Sequence, residues 1–205
     1  MANPNDQIIY NVAIKNGFTP TAARLVVAQA RFESADYTSG IFKRNNNTSG
    51  MKYAGQALAT LGDLAPYGER SASCKNVTAG QVGGFGPMPP CSKGDHYARF
   101  RTVEDSARDK IERNFKITMG GVTADQLKNV KSPEEFANLL KRRSYYGSSE
   151  TLYAAGMRAK LLKMDVLEFY EDNKTAINYG LIGAVVLGLT GYAYFLYKKG
   201  IIFKK

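Results

Sequence analysis

From Ala176 to Tyr197 the chain runs AINYGLIGAVVLGLTGYAYFLY, twenty-two residues without a charge. As a helix rising 1.5 Å per residue, this run spans roughly 33 Å, enough for a bilayer core of about 30 Å. Tyr179 stands near one end and Tyr192, Tyr194 and Tyr197 near the other, where aromatic side chains favour the lipid–water boundary. Lys198, Lys199, Lys204 and Lys205 follow it, and Glu168, Glu171 and Asp172 precede it. The expectation is a single-pass transmembrane helix with its C-terminus on the cytoplasmic or interior side and the rest of the chain outside. Gly180, Ala184 and Gly188 repeat every fourth residue, a small-residue face suited to helix self-association. The organisation expected is a domain over 1–171, a short link over 172–175, the span over 176–197 and a basic tail over 198–205.

The remainder reads as a domain rich in helices. Asn3 with Pro4 and Thr19 with Pro20 pair a capping side chain with the residue best tolerated in a first helical turn. These open helices with Ile8, Ile9 and Val12 inward in the first, Gly17 ending it, and the second running through about Ser34. Thr102 opens a third, with Asp105 at the capping-box position and Val103, Ala107, Ile111 and Phe115 on its buried stripe. Ser132-Pro133-Glu134-Glu135 opens another, with Phe136, Leu139 and Leu140 inward. Ser149 starts a long last helix with Leu152, Gly156, Leu161, Met164 and Leu167 in period. Between them, residues 50–101 hold many Gly and Pro and only short strand-like pieces, at 50–54 and 95–101. The fold class expected is α+β, mainly α, with a small irregular β lobe.

Charge narrows the partners. The net charge is +10, and removing the five lysines and one aspartate past position 171 still leaves +6 on the domain. A basic surface seeks an anionic partner, such as lipid, cell wall or nucleic acid. The basic residues are scattered and no nucleic-acid motif accompanies them, so nucleic acid is not expected. Residues 1–7 are polar and start no signal peptide. Cys74 and Cys91 bracket a Gly- and Pro-rich loop. They read as a disulfide, which implies an oxidising compartment, or as two free thiols in a reducing one. Two cysteines and the single histidine, His96, make no zinc site, and neither metal nor cofactor is expected. His96 itself, beside Asp95, reads as a surface or structural residue.

One acid stands out. Val26, Ala30 and Glu33 fall at i, i+4 and i+7 near the end of the second helix, so the Glu33 carboxyl shares a face with small apolar side chains. Burial and the negative helix end both favour its protonated form. A carboxylic acid protonated near neutrality is what glycosidic cleavage requires. The competing reading is an exposed Glu33 in ion pairs with Arg31 or Lys43.

The segment AQARFESADYTSGIFKRNNNTSGMK, Ala28 to Lys52, resembles the bacterial β-N-acetylglucosaminidase family of peptidoglycan hydrolases. Ala28, Gln29, Ala30, Glu33 and Ser34 match its A-Q-(A/S)-x-x-E-S helix, and Thr38-Ser39 its T-S. Asn46, Asn47, Gly50, Met51 and Lys52 match N-N-x-F-G-(I/M)-K. Tyr97-Ala98-Arg99-Phe100-Arg101 is similar to its (Y/F)-x-x-F-R strand. Tyr145-Tyr146 and Tyr153-Ala154-Ala155-Gly156 resemble its paired-tyrosine stretch. Ser49 stands where the family usually has Phe, Asp36 where it has Gly or Asn, and Tyr146 to Tyr153 is one residue longer than usual.

The resemblance implies a lysozyme-like domain that cuts the β-1,4 glycan backbone of peptidoglycan, as an endo-β-N-acetylglucosaminidase or, in close variants, a muramidase or lytic transglycosylase. Glu33 takes the place of the general acid and Tyr146 that of the tyrosine lining the cleft. Asn47, Gly50, Met51, Lys52, Tyr145 and Tyr153 are the expected substrate contacts. The family's second carboxylate has no fixed place; Asp63 and Glu69 are its candidates here, with Glu69 preferred. The partners implied are peptidoglycan strands and, through the tail, a lipid bilayer. The short chain and the absence of a leader fit a virion enzyme of a membrane-containing phage, with capsid contacts, better than a bacterial envelope enzyme. The rival classes are a non-catalytic wall-binding or structural membrane protein and a lysis protein acting through its tail alone.

Overall fold

The computed structural model describes residues 3–75 and 91–165. Capping side chains place the helices where their spacing in the chain predicts. Asn3 accepts from the Asn5 amide at 2.9 Å and starts α1, Pro4–Lys15. Thr19 accepts from the Ala22 amide at 3.3 Å and starts α2, Pro20–Glu33. Ser39 caps the short α3, Gly40–Asn45. Thr102 and Ser132 cap α4, Val103–Lys110, and α6, Pro133–Arg142, on either side of the short α5, Ala124–Lys128. A last helix, α7, occupies residues 150–165.

α2 is the spine of the domain. Ala22, Ala23, Leu25 to Val27 and Ala28 to Arg31 are all buried, so the helix is covered on every side rather than on one stripe. Its alanines let neighbours come close, and α1 packs along it. α7 reaches it at Gly156, where an added Cβ would lie 2.3 Å from the Phe32 ring. Only glycine permits that approach. Phe18, Phe115 and Phe136 interlock below, at 6.0 and 5.9 Å between ring centres.

Immediately after Glu33 the chain doubles back through Ala35, Asp36 and Tyr37, at φ of 52°, 55° and 66°. Three successive non-glycine residues in the left-handed region carry strain that surrounding bonds must hold. Buried Asp6 of α1 does so: it receives Arg31 Nε at 2.9 Å and the Tyr37 hydroxyl at 2.7 Å. Asp36 in turn receives Arg31 Nη1 at 3.2 Å, Lys160 at 2.9 Å and Lys163 at 3.0 Å, tying α7 to the turn.

The β lobe is a two-stranded antiparallel sheet, β1 Ala59–Leu64 against β2 His96–Phe100, paired Ala59 to Phe100 and Leu61 to Ala98 with an irregularity before Leu64. The molecule is thus mainly helical with a small sheet, an α+β arrangement. β2 lies where the spacing predicts. β1 does not, because ATLGDL has neither alternation nor β-branched enrichment, and residues 50–54 form only an isolated bridge, Lys52 to Tyr97. Cys74 and Cys91 are disulfide-bonded. His96 is buried, with Nδ1 3.0 Å from the Gly62 carbonyl.

Two further expectations are corrected. α4 does not run on to Phe115 as an α-helix: after Lys110 it widens into a π turn, Ile111–Phe115. Leu152 is not inward but 69% exposed, and Val103 is only half-buried; in α7 it is Tyr153, Ala154 and Met157 that face the core. The compact unit closes at Lys163. The expected domain end at 171, the link and the span over 176–197 lie outside the described residues; among the described residues no helix is long and apolar enough to cross a membrane.

Candidate active site

Four separate stretches meet at the end of α2. Glu33 emerges there with its side chain 14% exposed. Its Oε1 accepts from the Tyr153 hydroxyl of α7 and, at 3.2 Å, from Gln29 Nε2 one turn back on α2. The same Gln29 amide donates to the Tyr153 oxygen at 2.9 Å, closing a three-residue ring. Oε2 accepts from the Tyr145 hydroxyl at 3.4 Å and lies 3.9 Å from the Lys110 ammonium.

The carboxyl borders a groove of about 490 Å³. Tyr145, Tyr146 and Tyr153 supply aromatic lining, with the Tyr146 and Tyr153 rings stacked 3.8 Å apart and 3° from parallel. Ser49, Gly50 and Met51 line the groove as well. Gly50 sits at φ 61° with open space where a Cβ would be, so the main chain stands bare beside the groove. This stretch is held from behind. Asn47 donates to the carbonyls of Met51 at 2.8 Å and Ala98 at 3.0 Å, and its Oδ1 accepts from the Met51 amide at 3.0 Å. Thr48 is fastened to Ser106 of α4 at 3.0 Å.

Burial lifts the Glu33 pKa above the ordinary carboxylate value, against the opposing pull of Lys110, Tyr153, Gln29 and Tyr145. Burial likewise lowers the Lys110 pKa, with Glu33 opposing. Tyr145 and Tyr153 are pushed upward by burial and then by the Glu33 charge, so both stay neutral phenols that donate to it. The arrangement is a carboxyl whose charged form burial disfavours and whose anion, once formed, is met by three hydrogen-bond donors and the Lys110 ammonium at 3.9 Å.

No family model and no curated protein sequence matches this chain. Among solved structures, a chain in the structure of a type VI secretion system effector–immunity complex from Pseudomonas protegens is similar at 15% identity and a TM-score of 0.45, over 77% of this chain and 88% of that one. A likeness at that level carries neither fold nor function across.

The structure gathers Glu33, Gly50, Met51, Tyr145, Tyr146 and Tyr153 around one groove. The hydroxyls that reach Glu33 belong to Tyr145 and Tyr153, whereas that of Tyr146, expected as the catalytic one, donates to the Ala137 carbonyl at 2.9 Å. Asn47 is 1% exposed and shapes the loop rather than touching the groove. Lys52 pairs with Glu69 at 2.7 Å and lies 4.4 Å over the Tyr97 ring. Glu69 also accepts from the Tyr97 hydroxyl at 3.0 Å, and Lys52 foremost keeps it below the ordinary carboxylate range. Neither Lys52 nor Glu69 is part of the groove lining. Asp63, the other second-carboxylate candidate, is engaged by Arg44 and Arg99. Arg31, considered as a partner of Glu33, is instead committed to Asp6 and Asp36.

Lys110 and Gln29 are the contributors that sequence reasoning missed. Lys110 had a visible signal, since it falls three residues after Ala107 and one before Ile111, on a stripe otherwise read as apolar.

Proposed function

We propose that the chain is a membrane-anchored glycoside hydrolase with a lysozyme-like domain that cleaves the β-1,4 glycan backbone of peptidoglycan, as an endo-β-N-acetylglucosaminidase, with muramidase and lytic transglycosylase as neighbouring specificities. The observation that carries this reading is a largely dehydrated Glu33 carboxyl with a raised pKa at the edge of a tyrosine-lined groove. Protonated Glu33 gives its proton to the glycosidic oxygen as the C–O bond breaks. The carboxylate left behind is received by Tyr153, Tyr145 and Gln29. The Tyr146–Tyr153 stack offers an apolar platform for a sugar face, and the bare main chain at Gly50 offers its peptide groups to an acetamido group.

Among the described residues Glu33 is the one carboxylate lining the groove. The 76–90 segment contains no Asp or Glu. The electron pair that captures the cationic sugar then comes from water, from the substrate's own acetamido oxygen, or from its 6-hydroxyl, which would close an anhydro ring. In this reading the domain sits on the oxidising side of a bacterial or virion membrane, which the Cys74–Cys91 disulfide and the apolar run over 176–197 support. The basic surface then keeps it against an anionic wall.

The test is digestion of purified peptidoglycan by the full chain in detergent micelles, with mass analysis of the fragments. Release of soluble fragments, lost by about 100-fold or more in Glu33→Gln, is expected. The sugar bearing the new end distinguishes the three specificities. Equal release by the variant refutes Glu33 as the acid, and no release by the wild type refutes the proposal in favour of a wall-binding protein without catalysis.

A further inference from the structure

Lys110 lies outside the groove lining, yet its ammonium stands 3.9 Å from Glu33 Oε2. It is the last residue of α4, where the helix opens into the π turn Ile111–Phe115. Its side chain is 1% exposed. Among the described residues the ammonium has no hydrogen-bond partner. Around it lie the Phe115 and Tyr145 rings, each with its centre 5.8 Å away, and Glu33 Oε2 at 3.9 Å. A lysine so enclosed loses its proton more readily than a solvated one and is favoured as a cation by an opposite charge nearby. Among the described residues, the opposite charge paired with it is Glu33, which favours its protonated form against burial. Acting on Glu33 from every packed element are Lys110 of α4, Tyr145 of the segment after α6, Tyr153 of α7 and the neutral amide of Gln29.

We propose that Lys110 is a positioning residue for proton donation, a buried cation that strengthens Glu33 as an acid by favouring the carboxylate that forms as the proton leaves. Its attraction is weak while Glu33 is protonated and full once Glu33 is charged. It therefore favours the transition state over the bound ground state, the condition for raising turnover. Dehydration holds the proton on Glu33 until substrate is bound, and Lys110 lets it leave. Because Lys110 does not touch the groove, its loss acts on turnover and not on substrate affinity. The catalytic consequence rests on the glycan-hydrolase reading of Glu33; the pairing itself does not.

Two measurements on the full chain in micelles separate these. In the first, carbon-13 labelling of lysine Cε follows the Lys110 titration in the wild type and in Glu33→Gln. Lys110 is expected to lose its proton at lower pH than the other lysines, and lower still, by about one pH unit or more, when the carboxylate is gone. A Lys110 titration indistinguishable from the surface lysines, or unmoved by Glu33→Gln, overturns the proposal whether or not the protein cleaves glycan. In the second, Lys110→Met, of similar volume, is assayed for peptidoglycan cleavage across pH. Turnover is expected to fall about tenfold with KM unchanged, and the alkaline limb, where Glu33 loses its proton, to move up by about one to three pH units. A limb that stays in place overturns the proposal, and if Lys110→Met does not fold, the lysine titration decides alone.

Discussion

Removing one oxygen atom tests the electrostatic account of the site most directly. In Tyr153→Phe the ring keeps its edge contact with Phe32, 5.3 Å between centres, and its stack on Tyr146 at 3.8 Å, so its position is preserved. What is lost is the hydroxyl that donates to Glu33 Oε1 and accepts from Gln29. A hydrogen bond to a charged group contributes about 1.5–3 kcal/mol. That bond favours the carboxylate, so its loss favours the acid. At 1.36 kcal/mol per pH unit, the Glu33 pKa should climb by about one to two units. Gln29, still 3.2 Å from Oε1, and Tyr145, 3.4 Å from Oε2, keep the rise from being larger. The assay is a titration of the labelled Glu33 carboxyl carbon in the full chain, with near-UV dichroism to verify the ring packing. A pKa that stays put or falls while the packing is intact would mean that water, not the tyrosine, solvates the carboxylate, and the dehydrated-acid argument would fail.

Asp36 supplies a pH-dependent strut. Burial works against its charge, but Lys160 and Lys163 outweigh burial and hold it below the ordinary carboxylate range. Its contribution is therefore present above the unfolded pKa of about 4 and is lost as pH falls through the lower folded value. Asp36→Asn should lower the melting temperature by about 3 °C at pH 7, and the gap from wild type should close in acid; a gap that is constant with pH refutes the ion-pair account. Replacing Cys74 and Cys91 by serine opens a loop with a separation of 17 residues and should cost about 3 kcal/mol in denaturant unfolding. Reductant should reproduce that loss in the wild type and leave the double variant unchanged.

The helices were legible in the chain because they depend on neighbours in sequence. Asn3, Thr19, Thr102 and Ser132 bond to amides two or three residues on, so their positions follow from spacing alone. Glu33 falls on the apolar face of its own helix, a spacing that leaves burial and ion pairing with Arg31 or Lys43 both open and that the family resemblance weighs towards burial. What surrounds Glu33 was not legible in the same way. Tyr153 lies 120 residues away in sequence and Tyr145 lies 112 away. Which of the three tyrosine hydroxyls reach the carboxyl is set by how α7 and the segment before it pack against α2, and the sequence-based choice, Tyr146, turns its hydroxyl to Ala137 instead. β1 escaped notice for a related reason: ATLGDL becomes a strand by pairing with β2, not by its own preference. Lys110 stood on a stripe read as apolar, and only packing could decide whether a cation there reaches solvent or is sealed in. Local bonds thus fix where elements begin and which residues face inward, while the protonation of a buried group depends on charges brought from distant parts of the chain, a quantity that exists only once the chain has folded.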